Sequence, residues 1–289
     1  MAVYNQDKFQ FGVCAHNPSH GCCTGYPKRM MTKHLELARD LGVKLYRVDV
    51  SRTDDEWLDE LVRQSADMGL ELMLIVYDAD YAGIIAERYR GKIRYYQVLN
   101  EIDCGAFKKV PGQPDASGRK ISHFDEEKLE AEAERCRRII VALRSGDPDA
   151  RICINGTWMH YGMIDYMLQN GVEFDVLGWD WYSNMEAGYG IESCVEDLLK
   201  YGKDVLFCET NIWPHTHTDK DRADYICGLM DFLYNHPSQR VIGMIVYELL
   251  DEHGHSVESE RSFGLVETDD DCNIIKVKDA YTAMQKLLK

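Results

Sequence analysis

"RYYQVLNEIDCG", residues 94–105, begins as a buried strand and ends in a way buried strands should not. Tyr95, Tyr96, Val98 and Leu99 are strand formers apolar enough for the middle of a sheet. Asn100, Glu101 and Asp103 then place three polar side chains in four positions. A carboxylate at the end of a core strand is costly unless something pairs with it. Such an ending calls for a fold in which strand ends gather around a common site.

Seven more runs share this character: 10–16, 44–50, 71–78, 151–156, 174–180, 204–210 and 241–248. They are continuously hydrophobic rather than alternating, as strands covered on both faces are. Helical periodicity fills the intervals at 29–41, 53–68, 82–90, 125–144, 161–170, 191–201, 219–235 and 277–288. Gly42 reads as a C-terminal stop, and Thr53 with Glu56 as a capping box. Eight strand–helix units without a composition break predict a single (β/α)8 TIM barrel over residues 1–289. A doubly wound open sheet is the competitor, but neither a GxGxxG nor a phosphate-binding loop follows the first strand. The longest gap, 102–124, reads as a loop inserted on one barrel face, made basic by Lys108, Lys109, Arg119 and Lys120.

The chain has 289 residues, 45% hydrophobic and 28% charged, with a formal charge of −16. This acidic balance argues against a nucleic-acid partner, because phosphate binding needs basic surface. No run of about 18 apolar residues exists, so no membrane span is expected. "MAVYNQDKFQFG" has neither a basic region nor an apolar stretch, which predicts a cytoplasmic protein, or a secreted one whose leader has been removed. The ten cysteines read as reduced thiols, Cys14, Cys153 and Cys208 in strands and Cys136, Cys194 and Cys227 in helices. The stretch "CAHNPSHGCC" carries metal-capable Cys14, His16, His20, Cys22 and Cys23 but lacks paired CxxC spacing. His215, His217, His253 and His255 read as solvated loop histidines. No metal and no cofactor is expected.

In a barrel, catalytic groups sit at the C-terminal ends of the strands. The eight endings supply His16, Arg47 with Asp49, Asp78, Asn100 with Glu101, Asn155 with Trp158, Asp180 with Tyr182, Glu209, and Tyr247 with Glu248. Glu209 follows four apolar residues and Glu101 follows Leu99 and Asn100 at the end of its run, three strands apart. Two carboxylates facing across a barrel mouth are what retaining glycoside hydrolysis requires. One attacks the anomeric carbon while the other protonates the leaving oxygen and later activates water. Arg47 is available to keep the nucleophile ionised, and Tyr182 to donate it a hydrogen bond. Trp158, Trp181 and Trp213, together with Trp179, lie near strand ends, where flat faces suit sugar rings. Trp57 reads as core.

These residues resemble the clan A glycoside hydrolases, (β/α)8 barrels with an acid/base Glu ending strand four and a nucleophile Glu ending strand seven. "QVLNEID" matches the clan's Asn-Glu pair, and the resemblance implies that Asn100 binds a sugar hydroxyl and Glu101 is the acid/base. "LFCETN" matches the nucleophile strand, which implies Glu209. Arg47 and Tyr182 match the clan's supporting Arg and Tyr. The tail from Val246 onward is similar to those of families 5 and 39. Two departures bear on substrate: Asp180-Trp181-Tyr182 stands where many members carry His-x-Tyr, and Tyr247-Glu248 where many carry Trp. The expected activity is cleavage of β-linked oligo- or polysaccharide. Two rivals remain: a metal-dependent sugar isomerase or epimerase barrel, which chelation would silence, and a non-catalytic carbohydrate-binding barrel, which would bind without turnover.

Overall fold

Strands and helices alternate along nearly the whole chain in the computed structural model, which describes residues 4–19, 26–108, 117–186, 189–213 and 217–289. The strands are β1 (Gln10–Ala15), β2 (Leu45–Asp49), β3 (Glu71–Val76), β4 (Tyr95–Val98), β5 (Arg151–Thr157), β6 (Val176–Tyr182), β7 (Asp204–Asn211) and β8 (Val241–Val246). They pair in parallel, in sequence order, and β8 closes on β1. The helices are α1 (Met31–Leu41), α2 (Asp55–Asp67), α3 (Ala79–Arg88), α4 (Glu126–Gly146), α5 (Tyr161–Gln169), α6 (Ile191–Leu199), α7 (Asp219–Tyr234) and α8 (Asp279–Leu288). The (β/α)8 barrel expected from the alternation is present. Among the described residues, no helix is long and apolar enough to cross a membrane.

Local chemistry sets the helix ends. Gly42 closes α1 in the left-handed region at φ 96°, and Asp125 opens α4 by accepting the Glu127 and Lys128 amides. The expected capping box on Thr53 does not form. Ser51 instead accepts the Thr53 amide, one 3₁₀ turn follows, and α2 starts at Asp55. Asp78, a strand-end carboxylate, caps α3 by accepting the Tyr81 amide at 2.7 Å. A short antiparallel pair that the periodicity did not signal, β9 (Val266–Thr268) and β10 (Ile274–Val277), lies between β8 and α8.

Two apolar layers hold the barrel together. The outer layer packs one strand face against the helices and takes in Trp57, Trp179 and Trp181. The inner layer fills the barrel with Cys14, Leu45, Met73, Tyr95, Cys153, Val176, Leu206, Cys208 and Ile245. Gly178 makes room there, since a Cβ would meet Cys153 Sγ at 2.7 Å and Cys208 Sγ at 2.8 Å. The eight described cysteines are free thiols; Cys22 and Cys23 lie outside the described residues.

Candidate active site

Strand side chains alternate between faces, so residues two apart share one. Above the inner apolar layer, that period lifts Arg47 over Leu45, Gln97 over Tyr95, Asn155 over Cys153 and Asp180 over Gly178. Alternation would put Glu209 on the opposite face from Cys208. The β6–β7 pairing solves this with an irregularity: Trp179 pairs Phe207, and the next partner of Asp180 is Glu209, leaving Cys208 as an extra residue. Such a bulge re-aims the side chain that follows it. Glu209 thereby joins the inward-facing polar set.

There Glu209 accepts two hydrogen bonds, from Arg47 Nη1 to Oε1 at 2.8 Å and from the Tyr182 hydroxyl to Oε2 at 2.8 Å. Arg47 is buried and spends its other donors on Asn100 Oδ1 (2.7 Å) and Gln97 Oε1 (2.8 Å). Gln97 Nε2 also donates to Asn100 Oδ1 at 2.8 Å. With two donors on its oxygen, the Asn100 amide turns its NH2 away from them.

Glu101 is positioned by its backbone. Leaving β4, the chain passes through the left-handed region at Leu99 (φ 59°) and again at Glu101 (φ 42°), which costs of order 1–3 kcal/mol at each non-glycine residue. The Glu101 amide donates to Asn155 Oδ1 at 2.7 Å, and Asn155 Nδ2 donates to Asp180 Oδ1 at 2.9 Å. Among the described residues, no side-chain cation forms an ion pair with Glu101. Burial and the nearby charge of Glu209 push its carboxyl up to about 8. Asp180 is raised in the same direction by burial and by Glu209.

These groups open onto a cavity of about 440 Å³ lined by Arg47, Asn100, Glu101, Tyr182 and Glu209, with His16, Trp213 and Tyr247 on its walls. That size falls within the range of small-molecule sites, about 300–1,000 Å³. Trp213 stands edge-on to Tyr182 and Phe263.

Solved structures similar to the barrel include β-glucosidases. The family 1 β-glucosidase from Thermotoga maritima superposes with a TM-score of 0.75 at 13% identity, covering 99% of this chain and 98% of that chain. Its complex with deoxynojirimycin gives 0.74 at 13% identity, and its complex with glucoimidazole 0.75 at 14%, both with the same coverage. The likeness shows the fold. It is consistent with the clan A resemblance of the strand endings. No family model matches the chain, and no curated protein matches it by sequence.

Several expected site residues lie elsewhere. The Trp181 ring sits in the outer layer, on the strand face opposite Asp180 and Tyr182, with its indole N–H donating to Glu186 Oε1 at 2.8 Å. Trp158 turns away through φ 52° to pack edge-on against His160, and it does not line the cavity. Asp180 lies beneath the cavity, behind Asn155. Glu248 is fully buried behind the wall, accepting the Tyr26 hydroxyl at 3.0 Å and facing His16 Nε2 at 3.3 Å. From the loop 102–124, Cys104 reaches the cavity; Lys108 and Lys120 are exposed, and Arg119 stacks over Tyr189. Lys109 lies outside the described residues.

Sequence reading passed over other lining groups. His255, expected to be solvated, is buried on the cavity wall beside Glu260, with Nε2 to Oε2 3.3 Å. Both come from the segment after β8, which reads as a tail. His217 and His253 are exposed as expected, and His215 lies outside the described residues. Asp49 holds His16, with Nδ1 to Oδ1 3.2 Å. Burial opposes a charge on His16, yet its hydrogen bonds to the Asp49 and Glu248 carboxylates outweigh it and hold the imidazole well above its ordinary range.

Proposed function

We propose that this chain is a retaining β-glycoside hydrolase in which Glu209 is the nucleophile and Glu101 the acid/base. The observation that carries the reading is the asymmetry of two carboxyl groups on one cavity. Glu209 is tied to Arg47 and Tyr182, while Glu101 has no ion-pair partner among the described residues and its carboxyl is pushed up to about 8. Pairs of titratable groups pushed apart by their surroundings mark the acid and base assignments. The β-glucosidase neighbours add support at the level of the barrel.

In the first step a Glu209 oxygen attacks the anomeric carbon. The bond to the leaving oxygen breaks, and that oxygen takes the proton from Glu101. In the second, Glu101, now a carboxylate, takes a proton from water as the water oxygen attacks the anomeric carbon and releases Glu209. Asn100 presents its NH2 to a sugar hydroxyl, and Trp213 offers an aromatic wall. Two carboxyl groups balance the reaction without a cofactor. The substrate class is a β-linked oligo- or polysaccharide.

Azide distinguishes the two glutamates. Glu209→Ala should abolish turnover of every substrate. Glu101→Ala should keep glycosylation by dinitrophenyl β-glycosides, stall at the glycosyl-enzyme, and be rescued by azide to give the β-glycosyl azide. An α-glycosyl azide from Glu101→Ala, or rescue at Glu209 in place of Glu101, would reverse the roles or replace the mechanism. Binding of oligosaccharide by the wild-type chain without any turnover would leave only a carbohydrate-binding barrel.

A further inference from the structure

Behind the cavity wall lies a second group of acids that the proposed chemistry does not use. Glu248 and Glu252 are 0% and 3% exposed, and each points a carboxylate at His16 Nε2, with Oε2 at 3.3 Å and 3.8 Å. Among the described residues, His16 is the cationic group within ion-pair reach of either glutamate. Among the described residues, nothing donates a hydrogen bond to either oxygen of Glu252 or to Glu248 Oε1. Two dry carboxylates sharing one imidazole are costly. Their separation from solvent leaves water unable to discharge them.

We propose that His16, Glu248 and Glu252 bind a divalent transition cation of the zinc or manganese kind. One ring nitrogen and one oxygen from each carboxylate lie within 4.8 Å of one another. Ligands about 2.0–2.2 Å from a tetrahedral ion stand roughly 3.3–3.6 Å apart, so small rotations of Glu252 close the set. The carboxylates of Glu252 and Glu248, with three oxygens among them receiving no hydrogen bond from the described residues, supply the charge that a divalent ion neutralises.

The surroundings match a metal site in a further respect. Metal-bound histidines usually donate their other ring N–H to a carboxylate, which fixes the tautomer and ring orientation. His16 Nδ1 does so to Asp49, which is itself held by the Asn17 side chain. The Tyr26 hydroxyl orients Glu248. The imidazole among the donors favours zinc over calcium or magnesium, which take six or more oxygen ligands, while the two carboxylates also suit manganese. Three protein ligands leave a coordination position open.

The site shares no residue with the Glu101–Glu209 pair, and its test needs no turnover, so it stands or falls apart from the hydrolase reading. Chelator-stripped wild-type protein titrated calorimetrically with zinc chloride, then manganese chloride, should bind one equivalent of at least one ion with micromolar or tighter affinity. Glu252→Gln should weaken that binding at least tenfold, and Asp49→Asn by about 10–100-fold. Should Glu252→Gln fail to fold, wild-type crystals soaked in zinc should give an anomalous peak between the three side chains. Cobalt in the same site should show d–d bands without a sulfur charge-transfer band. Absence of binding at millimolar metal, affinity indifferent to Glu252→Gln, an anomalous peak elsewhere, or a thiolate band would each overturn the proposal.

Discussion

Arg47 reaches from the second strand to the seventh and sets its Nη1 2.8 Å from Glu209 Oε1, while its other donors hold Asn100 and Gln97. One guanidinium thus fixes three side chains from two other strands, Gln97 and Asn100 at the fourth and Glu209 on the seventh. Arg47→Met should lower kcat about 10²–10³-fold, the usual loss when one preorganised electrostatic partner is removed. Arg47→Lys keeps the charge but not the fork, and should fall between. Steady-state kinetics on an aryl β-glycoside decides the matter: a change in KM alone would make Arg47 a substrate contact.

The raised carboxyl of Glu101 sets a pH dependence in two observables. Between its ordinary range near 4.5 and about 8, the folded chain holds a proton that the unfolded chain releases. Stability therefore falls as pH rises through this window. Glu101→Gln cannot ionise, so its melting temperature should gain on wild type from pH 5 to pH 9. In the wild type, kcat/KM should decline above about pH 8 as the acid is lost. An unchanged Glu101 ionisation when the Glu209 charge is removed, read by carboxyl NMR titration of Glu209→Gln, would break the coupling.

Asn155 links Asp180 to the Glu101 amide. Asn155→Ala strands a buried N–H and a buried carboxylate, each costing about 1–3 kcal/mol. The variant should melt lower and lose kcat, because the left-handed turn at Glu101 then has no anchor. Equal melting with reduced kcat would place Asn155 on the substrate instead.

The two tryptophans of the sixth and seventh units should separate cleanly. Trp181→Ala removes an outer-layer side chain and should cost about 3–5 kcal/mol, with KM unchanged in the folded fraction. Trp213→Ala should raise KM severalfold and leave the melting temperature within a few degrees. Denaturant melts beside kinetics on the same preparations check both halves.

The barrel was legible because its strands are covered on both faces, and continuous apolar runs such as 71–76 admit little else. The Glu209 cluster was legible through strand ends, since Arg47, Asn100 and Tyr182 each close one. The Trp181 expectation failed on phase: adjacent residues on β6 face opposite layers, and Asp180 and Tyr182 had already claimed the inner one. His255 and Glu260 were missed for another reason. They arrive from a segment whose polarity looks like solvent exposure and which folds back over the mouth. Asn155 left a trace as a polar residue inside a strand, though only the structure shows what it holds.

Glu101 sits at φ 42°, a conformation in which glycine or asparagine is more at ease than glutamate. The backbone and the side chain at this position have opposed preferences. Replacing the carboxylate with glycine would relax the turn and remove an ionisable group from a dry site at once. On the proposed hydrolase reading, that one substitution would exchange a catalyst for a more stable, inert sugar binder.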